Sequence, residues 1–302
     1  MKILITGGTG FVGTHLCARF LQDGHEVTIL TRSRKGPEEG PAGISYLPGD
    51  PTQKGPWQEA IQNHEVIVNL AGASIFSRWT AKQKKAIRES RVSTTGNIVE
   101  GMPSHPEKKI TLFSTSAVGY YGFCGDEELV EDSPAGSDFL ARLAVEWEGE
   151  ALKAKDKGAR VVITRFGIVL GEKGGALSQM IPLFKRYMGG PIGSGKQWFS
   201  WIHIKDLAAA FVFLMKPPEI SGPVNICSPN PVRNRDLAKA LGRVLHRPSF
   251  VPAPGFMLKW VLGEFGSVIL EGQRVIPRWL LDHGFVFQYP DIDKALQSIV
   301  GR

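Results

Sequence analysis

The sequence predicts an α/β chain built on a doubly wound parallel sheet. Two observations predict it. A glycine-rich turn joins an apolar strand to a helix at the start of the chain, and strand and helix then alternate to about residue 170. The strands read as near-continuous apolar runs, as a sheet covered on both faces requires. Lys2 to Thr6 is the first strand. Phe11 to Gln22 follows with helical spacing at Phe11, Leu16, Phe20 and Leu21, and stops at Gly24. Further strands are expected at His25 to Thr31, Ile44 to Leu47, Glu65 to Leu70, Lys109 to Thr115 and Arg160 to Phe166. Long helices are expected at Thr80 to Glu100 and Ser137 to Ala154.

From about Gly171 the rhythm changes. Gly174-Gly175, Gly189-Gly190-Pro191 and Gly193-Ser194-Gly195 read as loops. Asp206 to Met215, Asn234 to Leu245 (with Asn234 or a neighbour as cap), Pro252 to Gly263 and Val268 to Gly272 read as helical. The organisation expected is a nucleotide-binding domain over residues 1–170, to which a segment at about 200–230 returns. A smaller substrate lobe then occupies most of 171–302.

Composition narrows the function classes. A chain that is 42% hydrophobic and 22% charged is not disordered. The net charge of +7 comes from scattered basic residues without an aromatic-studded stripe, so the expected partner is a small anionic molecule and not nucleic acid. Cys17, Cys124 and Cys227 are isolated, which gives neither a disulfide framework nor a zinc site. No signal peptide and no apolar run of the ~20 residues a membrane span needs are read, so a soluble, cytoplasmic protein is expected.

Gly7-Gly8-Thr9-Gly10-Phe11-Val12-Gly13 lies directly between strand and helix. Glycines there allow the tight turn, close approach of backbone to a pyrophosphate, and close helix–strand packing, while the helix start aims free amides at the phosphates. This is the fingerprint of a Rossmann dinucleotide site, with Gly7, Thr9, Gly10, Phe11, Val12 and Gly13 on the cofactor. The second strand ends Leu30-Thr31-Arg32-Ser33-Arg34. The carboxylate that would hold a ribose 2′-hydroxyl is missing. Arg32 and Arg34, with the Ser33 hydroxyl, suit a 2′-phosphate, so NADP(H) is the expected cofactor.

Further segments extend the pattern in order: Asp50 after Leu47-Pro48-Gly49, Asn69-Leu70-Ala71-Gly72, Ser90-Arg91 through Asn97, Phe113-Ser114-Thr115-Ser116-Ala117-Val118, Arg165-Phe166-Gly167-Ile168-Val169-Leu170-Gly171 and Trp201 through Ala208. With these the chain resembles the short-chain dehydrogenase/reductase superfamily, in its extended or atypical NAD-dependent epimerase/dehydratase-like branch. Leu270-Glu271-Gly272-Gln273-Arg274-Val275-Ile276-Pro277 resembles the extra C-terminal domain of the epimerase family proteins, here at about 250–298. The resemblance implies that Asp50 holds the adenine and that Leu70, Ala71 and Gly72 pass the adenine ribose. It further implies Arg91, Ser114 and Thr115 along the cofactor, and Arg165, Phe166, Gly167, Ile168 and Val169 in a loop over the nicotinamide.

One departure bears on chemistry. The superfamily transfers hydride with a Tyr followed four residues later by a Lys, and none of Tyr46, Tyr120, Tyr121, Tyr187 and Tyr289 has that Lys. Arg142 stands at the Lys position and Asp138 at the Tyr position, with Phe139 the nearest aromatic. A guanidinium stays charged and shuttles no proton, but it can hold a ribose, phosphate or carboxylate. Ser116 matches the superfamily's catalytic serine, and Tyr120 or Tyr121 is a displaced acid; ordinary packing is the competing reading for all three. Trp79, Trp198, Trp201 and His203 are expected to wall a substrate pocket against the Gly189 to Trp201 lobe, with Asp206 capping a helix. Glu146 and Glu148 are expected in solvent or paired with nearby cations. The expected function is an NADP(H)-dependent oxidoreductase or epimerase-like enzyme on a small substrate, and the alternative is a non-catalytic NADP(H)-binding sensor or scaffold. A homodimer through the two long helices would match the superfamily.

Overall fold

The structure, a computed structural model, describes residues 1–32, 43–104, 109–172, 174–216 and 220–301. Seven strands form the central sheet: β1 (Lys2–Thr6), β2 (Glu26–Thr31), β3 (Ile44–Pro48), β4 (Val66–Asn69), β5 (Thr111–Ala117), β6 (Arg160–Phe166) and β7 (Gly222–Ile226). Every pairing among them is parallel, in the order β3-β2-β1-β4-β5-β6-β7. The order reverses between β1 and β4, which opens a crevice beyond the strands' carboxyl ends.

Period-two alternation splits the core into two layers. Ile3, Ile5 and Phe113 face one side with Leu16 and Phe20 of helix α1 (Phe11–Gln22) and Leu207 and Phe211 of the helix Ile204–Met215. Leu4 and Leu112 face the other with Ile98 of α2 (Ala81–Gly101) and Ala151 of α3 (Phe139–Leu152). Both faces are therefore covered, which is why the strands carry so little polarity.

Caps set the helix ends. The Thr80 hydroxyl accepts from Gln83 N–H at 3.2 Å, and Asp138 Oδ1 accepts from Leu140 and Ala141 N–H at 2.8 and 3.1 Å. Asp138 therefore delays α3 by two residues from the expected start at Ser137. One expected cap is corrected. His203 caps the helix Ile204–Met215, its Nδ1 accepting from Lys205 N–H at 3.1 Å, so that helix begins two residues before Asp206. Asp206 is buried inside the helix and accepts from Gln288 and Tyr289 N–H at 2.8 and 2.9 Å, pinning the C-terminal segment. At the helix Asn234–Leu245 the cap position falls on the neighbour, Arg233, within what was expected, and the Asn234 side chain accepts from Ile192 N–H at 2.7 Å.

After β6 the chain alternates between the sheet and a second core. Leu177, Phe184, Trp201, Leu237, Leu241 and Leu296 make that second core. β7 then closes one edge of the main sheet, and Leu280 and Phe285 pack into its core. Gly174–Gly175, read as loop, pairs antiparallel with Ile168–Gly171, and Arg274-Val275, just past the last stretch expected to be helical, pairs with Glu128–Leu129. Among the described residues no helix is long and apolar enough to cross a membrane.

His203 is 2% exposed, stacks on Tyr289 at 4.0 Å and lies 3.1 Å from Ser298 Oγ through Nε2. Ser298 donates its own proton to Ala295 O, so the network leaves the imidazole proton on Nε2 and none on Nδ1. Burial first, then the charges of Lys205 and His15, lower its pKa to about 4. The unfolded chain thus takes up this proton first as pH falls. The stability held by neutral His203 is full above the ordinary value of 6.5 and is lost as pH drops toward 4. A shift of that size is worth about 3 kcal/mol. Urea denaturation at pH 7 and pH 4 should show the stability gap between the wild type and His203→Gln shrinking by that order; a constant gap contradicts the assignment.

Candidate functional site

The crevice is built on the first turn. Gly7 has φ +70°, and a Cβ there would lie 2.9 Å from the Leu70 carbonyl carbon. A Cβ on Gly13 would stand 2.3 Å from Gly7 O. Neither position accepts a side chain, so the backbone between β1 and α1 stays bare and close to the loop after β4. Gly10 precedes the helix without a side-chain cap. Gly10 N–H bonds Gly7 O at 3.0 Å and Thr14 N–H bonds Gly10 O at 2.9 Å, which leaves the amides of Phe11, Val12 and Gly13 without an intrahelical acceptor. Three bare N–H groups at the positive end of a helix form an anion site. Thr9 is exposed beside them. The Phe11 ring lies where Cβ atoms on Gly171 and Gly174 would sit, at 2.8 and 2.2 Å, so α1 is keyed to the turn after Ile168–Gly171.

The loop after β4 is held from below. Asn69 accepts from Thr6 Oγ1 at 2.7 Å and from Ala71 N–H at 3.3 Å, and donates to Thr95 Oγ1 at 2.9 Å. Arg91 donates to Ala73 O at 3.1 Å and lies under Gly72, while Leu70 packs on the core. Burial lowers the Arg91 pKa to about 10. Asp50 accepts from Thr52 N–H and Oγ1 at 3.0 and 2.7 Å and shapes the turn after β3. Arg32 is exposed at the end of β2, and no described ion pair engages it. Ser33 and Arg34, expected beside it, lie outside the described residues. At the end of β5, Ser114 Oγ and Thr115 Oγ1 are buried with no hydrogen-bond partner among the described residues. Bare amides and a cradle a Cβ would fill fit a dinucleotide, with the two unpaired hydroxyls on opposite faces of the strand behind them.

The residues expected to do chemistry are placed differently. Ser116 is buried and donates to Glu148 Oε1 at 2.6 Å. Glu148, expected in solvent or paired with a cation, takes the second course: it is buried and forms a two-pronged ion pair with Arg165, with Nε–Oε1 at 2.9 Å and Nη2–Oε2 at 2.8 Å. Arg165 Nη1 also donates to Tyr121 OH at 2.9 Å and Glu131 O at 3.0 Å, and Tyr121 OH donates to Asn225 Oδ1 at 2.7 Å. Three expectations are corrected by this network. The Arg165 side chain turns into the core beneath the crevice, Ser116 has its proton committed to Glu148, and Tyr121 is fully buried and cannot reach a ligand. Burial opposes charge on Arg165, but the hydrogen bonds and charge of Glu148, aided by Tyr121, outweigh it and hold the guanidinium above the usual arginine range. Burial pushes the Tyr121 phenol well above the usual range, against the pull of Arg165.

Tyr120 is half-buried, its ring 3.5 Å from the Arg165 guanidinium carbon, and no described hydrogen bond engages its hydroxyl. Arg142 is exposed and donates to Ser137 O, at the helix start and away from the Ser116 network. Phe166 packs in the main core beside Phe211, and Val169 lies partly buried against it. A Gly167 Cβ would lie 3.0 Å from Ser200 O, and Ile168 is exposed.

The expected pocket walls also separate. Trp201 is fully buried in the second core, with Nε1 donating to Asn230 O at 3.1 Å, and His203 is the buried cap described above. Both are corrected: neither lines a cleft. Trp198 donates to Asp126 Oδ1 at 2.9 Å and lies under Arg233 at 3.8 Å. Trp79 does border a cleft, of about 420 Å³, at the start of α3. Phe139, Asp138 and Phe123 line it from one side, and Glu264, Val268 and Glu271 from the other. The C-terminal helices, not the Gly189 to Trp201 lobe, supply that far wall. Sequence reading missed these residues and Glu148. A signal existed for Glu148, since Ala141, Ala144, Glu148 and Ala151 recur at helical spacing along the buried stripe of α3.

Residues 3–227 match the NAD dependent epimerase/dehydratase family, and residues 253–299 match a domain of unknown function, DUF1731. This chain belongs to the NAD dependent epimerase/dehydratase family. Among its relatives in that family, the chloroplastic epimerase family protein SDR39U1 homolog of Arabidopsis thaliana is 42% identical over 304 residues, covering 99% of this chain and 87% of that one. Epimerase family protein YfhF of Bacillus subtilis is 40% identical over 301 residues, covering 99% and 98%. The crystal structure of human epimerase family protein SDR39U1 (isoform 2) with NADPH superposes with a TM-score of 0.87 at 34% identity, over 99% of both chains. The UDP-glucose 4-epimerase of Thermus thermophilus, solved with NAD, shares the fold with a TM-score of 0.77 at 18% identity, over 98% of this chain and 97% of its own.

The buried ion pair gives a stability test. Glu148→Gln leaves the Arg165 charge buried without its counterion, which should cost about 3–5 kcal/mol in urea denaturation. Adding Arg165→Met should recover part of that loss. If the two changes are additive, the pair is not the unit described.

Proposed function

We propose that this chain binds NADP(H) along the carboxyl edge of its sheet and acts as an oxidoreductase or epimerase-like enzyme on a small molecule held in the cleft at the start of α3. The observation that carries the reading is the set of bare amides of Phe11, Val12 and Gly13, framed by two glycines with no room for a side chain. Those amides suit the pyrophosphate, and Arg32 suits the 2′-phosphate in place of the carboxylate an NAD site carries. The human relative solved with NADPH supports the same preference. When bound, the nicotinamide supplies hydride transfer. The residues assigned to its end of the crevice are Ser114 and Thr115, whose hydroxyls have no described partner. With Ser116 and Tyr121 held in the buried network, Tyr120 is the remaining phenol near the end of β5 and is assigned as proton donor.

The second reading, a non-catalytic NADP(H) sensor, is favoured by the same burial of Ser116 and Tyr121 and by the missing Tyr–Lys pair. The two readings differ in turnover. NADPH consumption across a panel of carbonyl compounds and nucleotide sugars, with Tyr120→Phe lowering kcat by about a hundredfold or more at unchanged thermal stability, fits the enzyme. Tight binding with no turnover on any class fits the sensor.

Calorimetry tests the cofactor. Arg32→Ala should weaken NADPH binding about tenfold to a hundredfold and leave NADH binding unchanged, as loss of a charge-assisted phosphate contact predicts. The proposal fails if NADH binds the wild type as tightly as NADPH and the substitution alters neither.

A further inference from the structure

The cleft at the start of α3 has a chemical character that goes beyond its place in the fold. One wall is aromatic and rigid: the Trp79 and Phe139 rings meet edge to face at 5.1 Å, and Phe265 backs Trp79 at 5.4 Å. Trp79 Nε1 donates to Ile75 O at 3.0 Å, which fixes the indole. Val268 continues the apolar surface. The charged groups lining the cleft are all carboxylates, Asp138, Glu264 and Glu271. Asp138 turns one oxygen to the α3 amides as the helix cap. Glu264 is paired with Lys84 at 2.5 Å. Glu271 is exposed at the rim, and no described ion pair engages it. Arg78 runs beside Gly263, outside the lining.

We infer that this cleft takes a flat, apolar carbonyl compound bearing no negative charge, and that it rejects nucleoside-diphosphate sugars. The inference rests on the proposed function only in calling the ligand a carbonyl compound. A diphosphate needs cations or bare amides facing it; the ammonium beside this wall, Lys84, is already engaged by Glu264 at 2.5 Å, and Glu271 adds a carboxylate with no described ion pair, so a second negative charge there meets like charge. A planar ring finds the half-buried Phe139 ring and the exposed Phe123 ring, with Trp79 bordering the cleft through the small part of its surface left open, and electron-rich ring surfaces favour neutral or positive partners. The chain itself supplies an instance: the Lys84 ammonium lies 4.7 Å from the Phe139 ring centre and 6.0 Å from that of Trp79.

The test titrates the full-length protein, with and without NADPH, using naphthaldehyde, para-trimethylammoniobenzaldehyde, para-carboxybenzaldehyde and UDP-glucose, read by calorimetry. The expected result is saturable binding of the first two, with the carboxylate and UDP-glucose weaker by about tenfold or more. Glu271→Lys, a change at an exposed position, should improve para-carboxybenzaldehyde binding several-fold, and Trp79→Ala or Phe123→Ala should weaken naphthaldehyde. Equal or tighter binding of para-carboxybenzaldehyde or UDP-glucose overturns the inference. So does the absence of saturable binding by both uncharged and cationic probes, or a Glu271→Lys protein with unaltered preference. Because the titrations are also run without nucleotide, a failure of NADPH to bind removes the cofactor reading and leaves the cleft to be judged on its own probes.

Discussion

Glu148 and Arg165 carry opposite charges into a dry interior, and that constraint organises the centre of the molecule. Burying either alone costs several kcal/mol, so both must find their full complement of partners together. The demand recruits Ser116 from β5, Tyr121 from the turn that follows, and the Glu131 carbonyl from the next loop. Through Tyr121 it reaches Asn225 of β7, whose amide group donates to Ile276 O in the C-terminal segment at 3.1 Å. Glu131 in turn accepts from the amides of Asn225 and Trp279 at 3.0 and 3.2 Å. One ion pair thus joins the middle of the sheet, α3 and the C-terminal region in a single polar network. Such networks hold one arrangement because every partly satisfied alternative is costly.

That network explains why much of the fold was legible in the sequence and much of the site was not. β1, α1 and β6 carry local signals, an apolar run or a helical repeat ended by glycine, and local signals need no knowledge of partners. β6 begins and ends where it was expected to, at Arg160 and Phe166. Ser116, Tyr121 and Glu148 are different. A polar residue in sequence looks the same whether it faces a ligand or a buried guanidinium, and only the packing of α3 on β5 decides. His203 and Asp206 exchanged their expected parts for a similar reason. The imidazole caps because its Nε2 is engaged by Ser298, a residue far away in sequence, which leaves Nδ1 to accept from Lys205 N–H. Trp201 was expected beside a ligand because aromatic clusters suit pockets as well as cores, and the second core claimed it.

The crevice and the cleft have different structural foundations. The crevice rests on backbone: glycines without side chains, bare amides, and a loop held by Asn69 and Arg91. Backbone sites of this kind depend little on the side chains around them. The cleft rests on side chains from parts of the chain far apart, with Trp79 and Phe139 packed against Phe265 of the C-terminal helices in a small cluster of their own. The chemistry available to a bound compound is therefore set by the C-terminal domain as much as by the sheet.

The late arrival of β7 has a consequence for biosynthesis. Gly222–Ile226 pairs with β6 across its whole length, so a nascent chain that has emerged only to residue 170 displays Arg160–Phe166 as an open, apolar edge. The sheet cannot be sealed until more than fifty further residues have left the ribosome. During that interval the growing polypeptide is exposed to edge-to-edge association, and the burden of protecting it falls on chaperones or on the speed of translation.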